Sequence, residues 1–290
     1  MTNVTAKLPV WDSVSNAWHK VSGAKGSLWG ALGLMFLIFI GCAIIGGIAS
    51  AIFMPLGLLI SIIQQILLIL LMAGLMYMGL ERAQDRPITY TMVLHTLDWN
   101  LGFKVIIVYI LKMLIMLPFI LFIMAVSFFG AISQLIVAAF QHVQNKEIIT
   151  NINHVSANVT QVNATVISHA NQAADIANKG VSFIPASLAM ILCLIAVIAG
   201  IFIFVRLALT LAFLLEQNAG IGEAFVLSFR ATRGNVWRLI GLYIVWWFIM
   251  VISMIPLGIG LIWTFPLSYI IYGMIYKALM VNANNPIVKV

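Results

Sequence analysis

The sequence predicts an all-α integral membrane protein that crosses a lipid bilayer about six times. Of its 290 residues, 63% are hydrophobic and only 8% are charged, and the mean hydropathy is +1.11. Soluble domains carry about 25% charged residues, so this chain has too few charged side chains to cover a surface that faces water. Its apolar residues also form long runs of the length that a helix needs to cross the hydrocarbon core, about 20 residues. Lipid is therefore the predicted solvent of the exterior.

The segment 1–26 precedes the first long apolar run and predicts an amphipathic interfacial helix on the cytoplasmic side. Apolar residues recur there at helical spacing: Val10, Trp11, Val14, Trp18 and Val21. Tryptophan favours the headgroup layer, and the neighbouring lysines attract anionic lipid. A poorly ordered polar tail is the alternative interpretation of this segment.

Six apolar runs are predicted to cross the bilayer, three in a first half (27–140) and three in a second half (183–290). Their approximate bounds are 28–50, 58–80, 103–130, 183–210, 237–256 and 261–281. Pro55 and Gly57 supply the turn between the first two runs. Apolar residues continue well past the third, so that helix must tilt, bend at Pro118 or extend beyond the bilayer. Amphipathic segments after the second and fourth runs predict further helices on the cytoplasmic surface.

The distribution of basic residues predicts that both ends of the chain face the cytoplasm. Of 15 lysines and arginines, eleven then lie in cytoplasmic segments, Lys146 and Lys179 lie outside, and Lys112 and Arg206 lie within apolar runs. Such an excess of basic residues is typical of cytoplasmic loops. The same rule accounts for the net charge of +7. Membrane lipids are therefore predicted partners, and nucleic acid is not.

The polar segment 141–182 predicts a helical, coiled-coil-like insertion on the outside face. Apolar residues recur at spacings of four and three: Ile148, Ile152, Val155, Val159, Val162 and Val166. This heptad seam is typical of a helix that packs on another helix, here from a second copy of the chain or an envelope protein. A single straight helix would end about 43 Å from its start, so the segment folds back near 156–158 or lies across a neighbouring subunit. A disordered loop is the third alternative, because asparagine and β-branched residues form helices poorly.

A shift of 135 residues reveals a weak internal repeat. It aligns Glu81 with Glu216 and Asn100 with Asn235. In each copy an apolar run ends in Leu-Glu, an amphipathic segment follows, and an asparagine precedes the next run. Both copies begin on the same face, which predicts a parallel repeat about an axis near the membrane normal. The alternative is that two similar hairpins arose from the general requirements of membrane proteins.

Part of the second half resembles a known family. The stretches that carry the resemblance are RLALTLAFLLE from Arg206, GIGEAFVLSFRATRGNVWRLIGL from Gly220, and PLGIGLIWTFPLSYIIYGMIY from Pro256. They are similar to the YciC-like family of bacterial six-helix inner-membrane proteins, and to the membrane portion of some glycerophosphodiester phosphodiesterases. The resemblance implies a protein of the cell envelope and implies no reaction. The long segment 141–179 departs from the family pattern, which leaves room for a specialised role.

Polar groups within or at the ends of the apolar runs are the candidate functional residues, because such groups in a membrane mark binding and transport sites. The candidates are Lys112, Arg206, Glu81, Glu216 and Gln64. Lys112 can instead extend its side chain to the inner interface. Arg206 needs Glu81 or Glu216 as a partner if the fourth run is fully submerged, and is an ordinary interface arginine if that run leaves lipid early. Gln64 fits a hydrogen bond between helices.

No catalytic, cofactor or metal-binding motif occurs in the sequence, so neither an enzyme nor a cofactor is predicted. The predicted function is an envelope scaffold or interaction protein of the bacterial inner membrane that assembles through 141–179. The alternative is a transporter, channel or lipid-handling protein that uses the interface between the two repeats, with Arg206 and Lys112.

Overall fold

The computed structural model describes residues 7–155, 186–255 and 258–283, and its regular elements are helical. They are α1 (Val10–Val21), α2 (Lys25–Ile52), α3 (Met54–Ala83), a 3-10 helix (Tyr90–Leu97), α4 (Trp99–Val155), α5 (Ala186–Arg206), α6 (Thr210–Glu216), α7 (Ile221–Thr232), α8 (Val236–Met254) and α9 (Leu261–Ala283). Six helical segments are long and apolar enough to cross a membrane. The predicted all-α fold with about six helices of membrane-spanning length is confirmed for the described residues.

The turn between α2 and α3 is a single extended residue, Phe53. The predicted position of this turn, at Pro55 and Gly57, is therefore wrong by a few residues. Pro55 lies in the first turn of α3, where its missing N–H has no helical partner to lose. At Gly57, α3 passes so close to Ser50 that a Cβ atom would collide with it.

The helix α1 forms as predicted, but its buried face differs from the predicted apolar face. The buried residues are Ser13, Ala17 and Val21, whereas Trp11 is 73% exposed and Trp18 is 52% exposed. Small side chains allow α1 to approach α9 and α3 closely, so the bulky indole rings are left outside. Two exposed indoles on one short helix are typical of a helix at a membrane surface.

Both predicted surface segments after the second and fourth runs are helical, and each packs back on the span before it. The first is the 3-10 helix and the second is α7. Thr96 donates a hydrogen bond from its hydroxyl to the carbonyl of Leu70 at 2.6 Å. Ser228 donates in the same way to the carbonyl of Arg206 at 2.7 Å. The two halves of the chain therefore anchor their surface helices by the same kind of contact.

The helix α4 is longer than the predicted third span and continues through Pro118. Residues 141–155 belong to it, so the first part of the predicted insertion is not a separate helix. Three positions of the predicted heptad seam lie on α4, namely Ile148, Ile152 and Val155. The other three, Val159, Val162 and Val166, lie outside the described residues, as does the turn predicted near 156–158. The coiled coil stays a prediction.

The predicted fourth span, 183–210, is broken into α5 and α6, and its first residues lie outside the described ranges. At the break, the hydroxyl of Tyr272 accepts a hydrogen bond from the Ala212 N–H at 3.1 Å and donates one to the Ala208 carbonyl at 3.1 Å. Ala208 and Ala212 are four residues apart, so these two groups would bond to each other in a regular helix. An inserted side chain thus takes over a helical hydrogen bond, which is an established cause of helix breaks.

The chain divides into two compact units, 1–115 with 202–290, and 116–201, whose bounds differ from those of the two predicted halves. In the first unit, α9 packs against α1, α2, α3, α7 and α8. Gly79 of α3 and Gly273 of α9 lie where the two backbones touch, the contact that small residues permit between membrane helices. In the second unit, Gly200 of α5 faces Phe119 of α4.

Candidate functional site

The structure brings two of the predicted polar residues together around one arginine. Nη1 of Arg86 lies 3.0 Å from Oε1 of Glu81 and 3.2 Å from Oε1 of Glu216. The side chains of the two glutamates are only 6% and 13% exposed, whereas that of Arg86 is 52% exposed. We call these three residues the Glu–Arg–Glu cluster. It ties the end of α3 to the end of α6.

The positions of both acids in their helices explain why the cluster needs a cation. Glu81 lies in the last turns of α3, and Glu216 is the last residue of α6. A carboxylate near a helix C-terminus is disfavoured by the helix dipole. Arg86 reaches both because the chain reverses after α3 at Asp85, which has a φ of 66°. The negative charges of Glu81 and then Glu216 raise the pKa of Arg86 above its ordinary value.

A cavity of about 730 Å³ lies beside the cluster. Its polar lining residues are Tyr77, His95, Asp98, Asn100, Lys104 and Asn218. Tyr77 interacts with the Glu81 carboxylate, which connects the cavity wall to the cluster. The volume lies within the range of small-molecule sites in proteins, about 300–1,000 Å³.

The cavity is lined by polar and apolar side chains together. The rings of Tyr77 and His95 stack with their centroids 4.6 Å apart. Lys104 donates a hydrogen bond from Nζ to Oδ1 of Asn218 at 3.3 Å, joining α4 to the connection between α6 and α7. Among the apolar lining residues, Trp99 is 84% exposed and Phe103 is 59% exposed. This combination suits a ligand that has a polar part and an apolar part.

Arg206 is not paired with Glu81 or Glu216, the acids considered as its partners. Its Nη1 donates to the carbonyl of Phe229 at 3.1 Å, in the last turn of α7. The guanidinium carbon also lies 5.3 Å from the ring centroid of Phe202 and 5.7 Å from that of Phe229. A cation at this position stabilises the C-terminal end of α7. Arg206 ends α5 but lies inside the candidate membrane span Leu188–Glu216, so its depth in the membrane stays a prediction.

Lys112 and Gln64 lie apart from the cluster. Lys112 follows the buried Val108 by one turn and is half-buried. Within the described part of the chain, no hydrogen bond or ion pair joins it to another candidate. Gln64 borders a cavity of about 10 Å³ between α2 and α3, beside Met35 and Cys42. That space holds at most one water molecule, so Gln64 is not part of a ligand site there.

Six polar residues of the site were not identified from sequence patterns, namely Tyr77, Arg86, His95, Asp98, Lys104 and Asn218. Arg86 lies in a short polar stretch that has the composition of an ordinary loop. The weak repeat did point to Asn100, which lines the cavity. The others come from α3, the 3-10 helix, α4 and two connecting segments, and tertiary packing alone brings them together.

Comparison with known proteins gives no relative of this chain. No family model, no curated protein and no solved structure matches it. The resemblance to the YciC-like family therefore stays a prediction, and the proposals below depend on the geometry of the site.

Proposed function

We propose that this protein is a multi-pass protein of the bacterial inner membrane that binds an amphiphilic lipid in the cavity beside the Glu–Arg–Glu cluster. A lipid-handling protein is one of the alternatives to the envelope scaffold that the sequence predicts. The observation that carries the proposal is the composition of the cavity, which combines six polar side chains with the exposed rings of Trp99 and Phe103.

The polar lining offers complementary charges to a phospholipid headgroup. Lys104 supplies a cation for a phosphate, and Asp98 supplies an anion for an amine. The neutral amides of Asn100 and Asn218 can both donate and accept hydrogen bonds. A headgroup that carries a phosphate and an amine, such as phosphoethanolamine, finds a partner for each group in the same cavity.

The Glu–Arg–Glu cluster supports this function by fixing one wall of the cavity. Tyr77 lies one turn before Glu81 on α3, and Leu215 directly precedes Glu216 on α6. Arg86 holds both glutamates, so it sets the separation between the two helix ends that carry these lining residues. Loss of Arg86 is expected to change the shape of the cavity without removing any lining group.

Lipid retention in detergent tests this proposal. The full chain is purified in mild detergent, and native mass spectrometry identifies the lipid that stays bound. We expect Lys104→Gln and Asp98→Asn to reduce retention of that lipid several-fold relative to Lys25→Gln, which removes a lysine that does not line the cavity. Equal retention by all three variants, with unchanged helical content by circular dichroism, would contradict the proposal.

A second function, the envelope scaffold, is favoured by the length of α4. This helix has 57 residues, which corresponds to a path of about 86 Å, against about 30 Å for the hydrocarbon core. The part of α4 that exceeds the thickness of the hydrocarbon core is long enough to contact a partner outside the bilayer. We propose Ile148, Ile152 and Val155 as part of that contact.

The assembly mass in detergent tests the scaffold function. Serine at Ile148, Ile152 and Val155 is expected to reduce the mass of the assembly measured by light scattering. The matched control places serine at Thr150, Asn153 and His154 of the same stretch, which lie on the opposite face of a regular helix. A monomeric wild-type chain, or the same assembly mass for both variants, would exclude assembly through this seam.

The proposed orientation places both ends of the chain in the cytoplasm. The orientation is supported by the distribution of basic residues, because eleven of them then lie in cytoplasmic segments and only Lys146 and Lys179 lie outside. A single cysteine at Asn158, in a chain without Cys42 and Cys193, tests it with an impermeant thiol reagent. Labelling in cells whose outer barrier has been opened supports the orientation, and labelling that requires rupture of the inner membrane contradicts it.

A further inference from the structure

We propose that Arg206, Arg230 and Arg233, at the C-terminal end of α7, form a binding site for the phosphate group of a membrane phospholipid. This arginine site is distinct from the cavity beside the Glu–Arg–Glu cluster, and none of its three residues lines that cavity. It therefore does not depend on the function proposed above.

The three arginines are brought together by the packing of α7 on the end of α5. Arg206 binds the carbonyl of Phe229, the residue directly before Arg230. Arg233 caps the C-terminal end of α7 and lies close enough to Arg206 for their like charges to interact. Ser228 fixes the arrangement from the other side, through its hydrogen bond to the Arg206 carbonyl.

Two of these guanidinium groups have donors that lack acceptors. Nε of Arg206 and Nε of Arg230 are buried and make no hydrogen bond to any described residue. Within the same described ranges, the ion pairs of Glu81, Glu216 and Asp85 are made with other cations. A buried donor on a charged group is strongly destabilising when it lacks an acceptor. A ligand that accepts hydrogen bonds from these N–H groups would remove this cost. A phosphate is suited to this role, because several of its oxygens can accept hydrogen bonds from arginine guanidinium groups.

The helix dipole of α7 does not compensate the positive charges of both Arg206 and Arg230. A helix C-terminus corresponds to about −0.5 of an elementary charge. The bond from Arg206 to the Phe229 carbonyl satisfies that end of the helix. The site consequently keeps a surplus of positive charge, which favours an anion.

The surroundings of the site favour a lipid phosphate over a free one. Phe202 and Phe229 are each 38% exposed, Val226 is 42% exposed and Trp237 is 75% exposed. Tryptophan concentrates at the level of lipid headgroups. The apolar α5 ends at Arg206, so exposed apolar side chains of this helix, such as Ile201 and Phe204, lie directly before the site. A phosphate held there would have its acyl chains beside exposed apolar side chains.

Lipid binding by purified, delipidated full-length protein tests this proposal. Phosphatidylglycerol is titrated in mild detergent and bound lipid is counted by native mass spectrometry. We expect the double variant Arg206→Gln, Arg230→Gln to bind about tenfold more weakly than wild type, because it loses two charge-assisted contacts. The charge-matched control Lys7→Gln, Lys25→Gln is expected to bind like wild type.

Three outcomes would overturn the inference. The first is equal binding by the double glutamine variant and wild type. The second is competition by inorganic phosphate at the concentration of the lipid, which would indicate a site for free anions. The third is an equal loss in the Lys7→Gln, Lys25→Gln control, which would indicate general charge attraction. If the double variant does not fold, the single variant Arg230→Gln gives the same test, because Arg230 contributes only its backbone carbonyl to the cap of α7 and the substitution keeps that carbonyl.

Discussion

Glu81 and Glu216 bind the same guanidinium nitrogen of Arg86, at 3.0 and 3.2 Å, although they are 135 residues apart in the sequence. They are also the two acids that the internal alignment places at equivalent positions. Each stands at the end of an apolar helical segment, and each is followed by a short helix that packs back on its own span. The shared arginine joins the two equivalent ends. This relationship agrees with the predicted duplication, which stays a prediction.

Removal of the shared cation is expected to destabilise the protein. In Arg86→Gln, two largely buried carboxylates face each other without a cation, so the repulsion between their negative charges is no longer compensated. The thermal midpoint in detergent at pH 8 should therefore fall relative to wild type.

A second substitution provides the control for this interpretation. Glu216→Gln added to Arg86→Gln removes one of the two charges, so it should restore much of the lost stability at pH 8. An unchanged or lower thermal midpoint in the double variant would show that the two carboxylates do not repel each other.

The hydroxyl of Tyr272 is expected to stabilise the break between α5 and α6. Tyr272→Phe leaves the Ala208 carbonyl and the Ala212 N–H without this partner, which should lower the free energy of unfolding by about 1–3 kcal/mol. Unfolding by SDS titration measures the change, and Tyr90→Phe, at an exposed tyrosine, is the control. Faster hydrogen exchange at Ala212 is expected in Tyr272→Phe. Slower exchange would show that the helix closes and replaces the lost bond by its own.

A matched pair of glycine substitutions tests the contact between α3 and α9. A Cβ atom at Gly79 would collide with the backbone of Tyr269, whereas one at Gly41 meets no atom within 4 Å. We expect Gly79→Ala to lower the thermal midpoint in detergent because α3 and α9 must separate. Gly41→Ala should leave it unchanged or raise it slightly, because alanine favours a helix over glycine by about 1 kcal/mol. Similar effects of the two substitutions would show that α3 and α9 do not pack closely at Gly79.

The attachment of α1 is expected to weaken in acid. Lys20 donates a hydrogen bond to Asp85, which lowers the pKa of that carboxyl below its ordinary value of 3.8. A group whose pKa is lowered by folding stabilises the fold above its unfolded pKa, and this contribution is lost as the pH falls through the lowered value. The change in attachment is therefore expected below pH 3.8.

A spin label at Ser15, an exposed position of α1, reports this attachment through its mobility. In a chain without Cys42 and Cys193, mobility should rise in acid for wild type. Asp85→Asn should already be more mobile at neutral pH and respond less to acid. An identical pH response of both proteins would show that Asp85 does not hold α1.

The sequence alone was sufficient to predict the membrane class and the approximate positions of the spans. Apolar runs such as those of α2 and α8 are long enough to cross a bilayer, and in lipid an isolated segment must satisfy its own backbone groups by forming a helix. This requirement acts locally, so composition and length report it directly. The break after Arg206 is an exception to this local rule, because it depends on Tyr272, which lies 66 residues further along the chain.

Tertiary structure decided which polar residues act together. The sequence marked Glu81, Glu216 and Arg206 as candidates but offered Arg206 as the counter-charge, whereas the fold supplies Arg86 and leaves Arg206 on the end of α7. The cavity lining likewise comes from four separate elements. A pairing between distant residues depends on how helices cross, and close crossings are fixed by contacts such as that between Gly79 and Tyr269. Hydrophobicity along the chain records the depth of a residue in the membrane, but it carries no information about its neighbour on another helix.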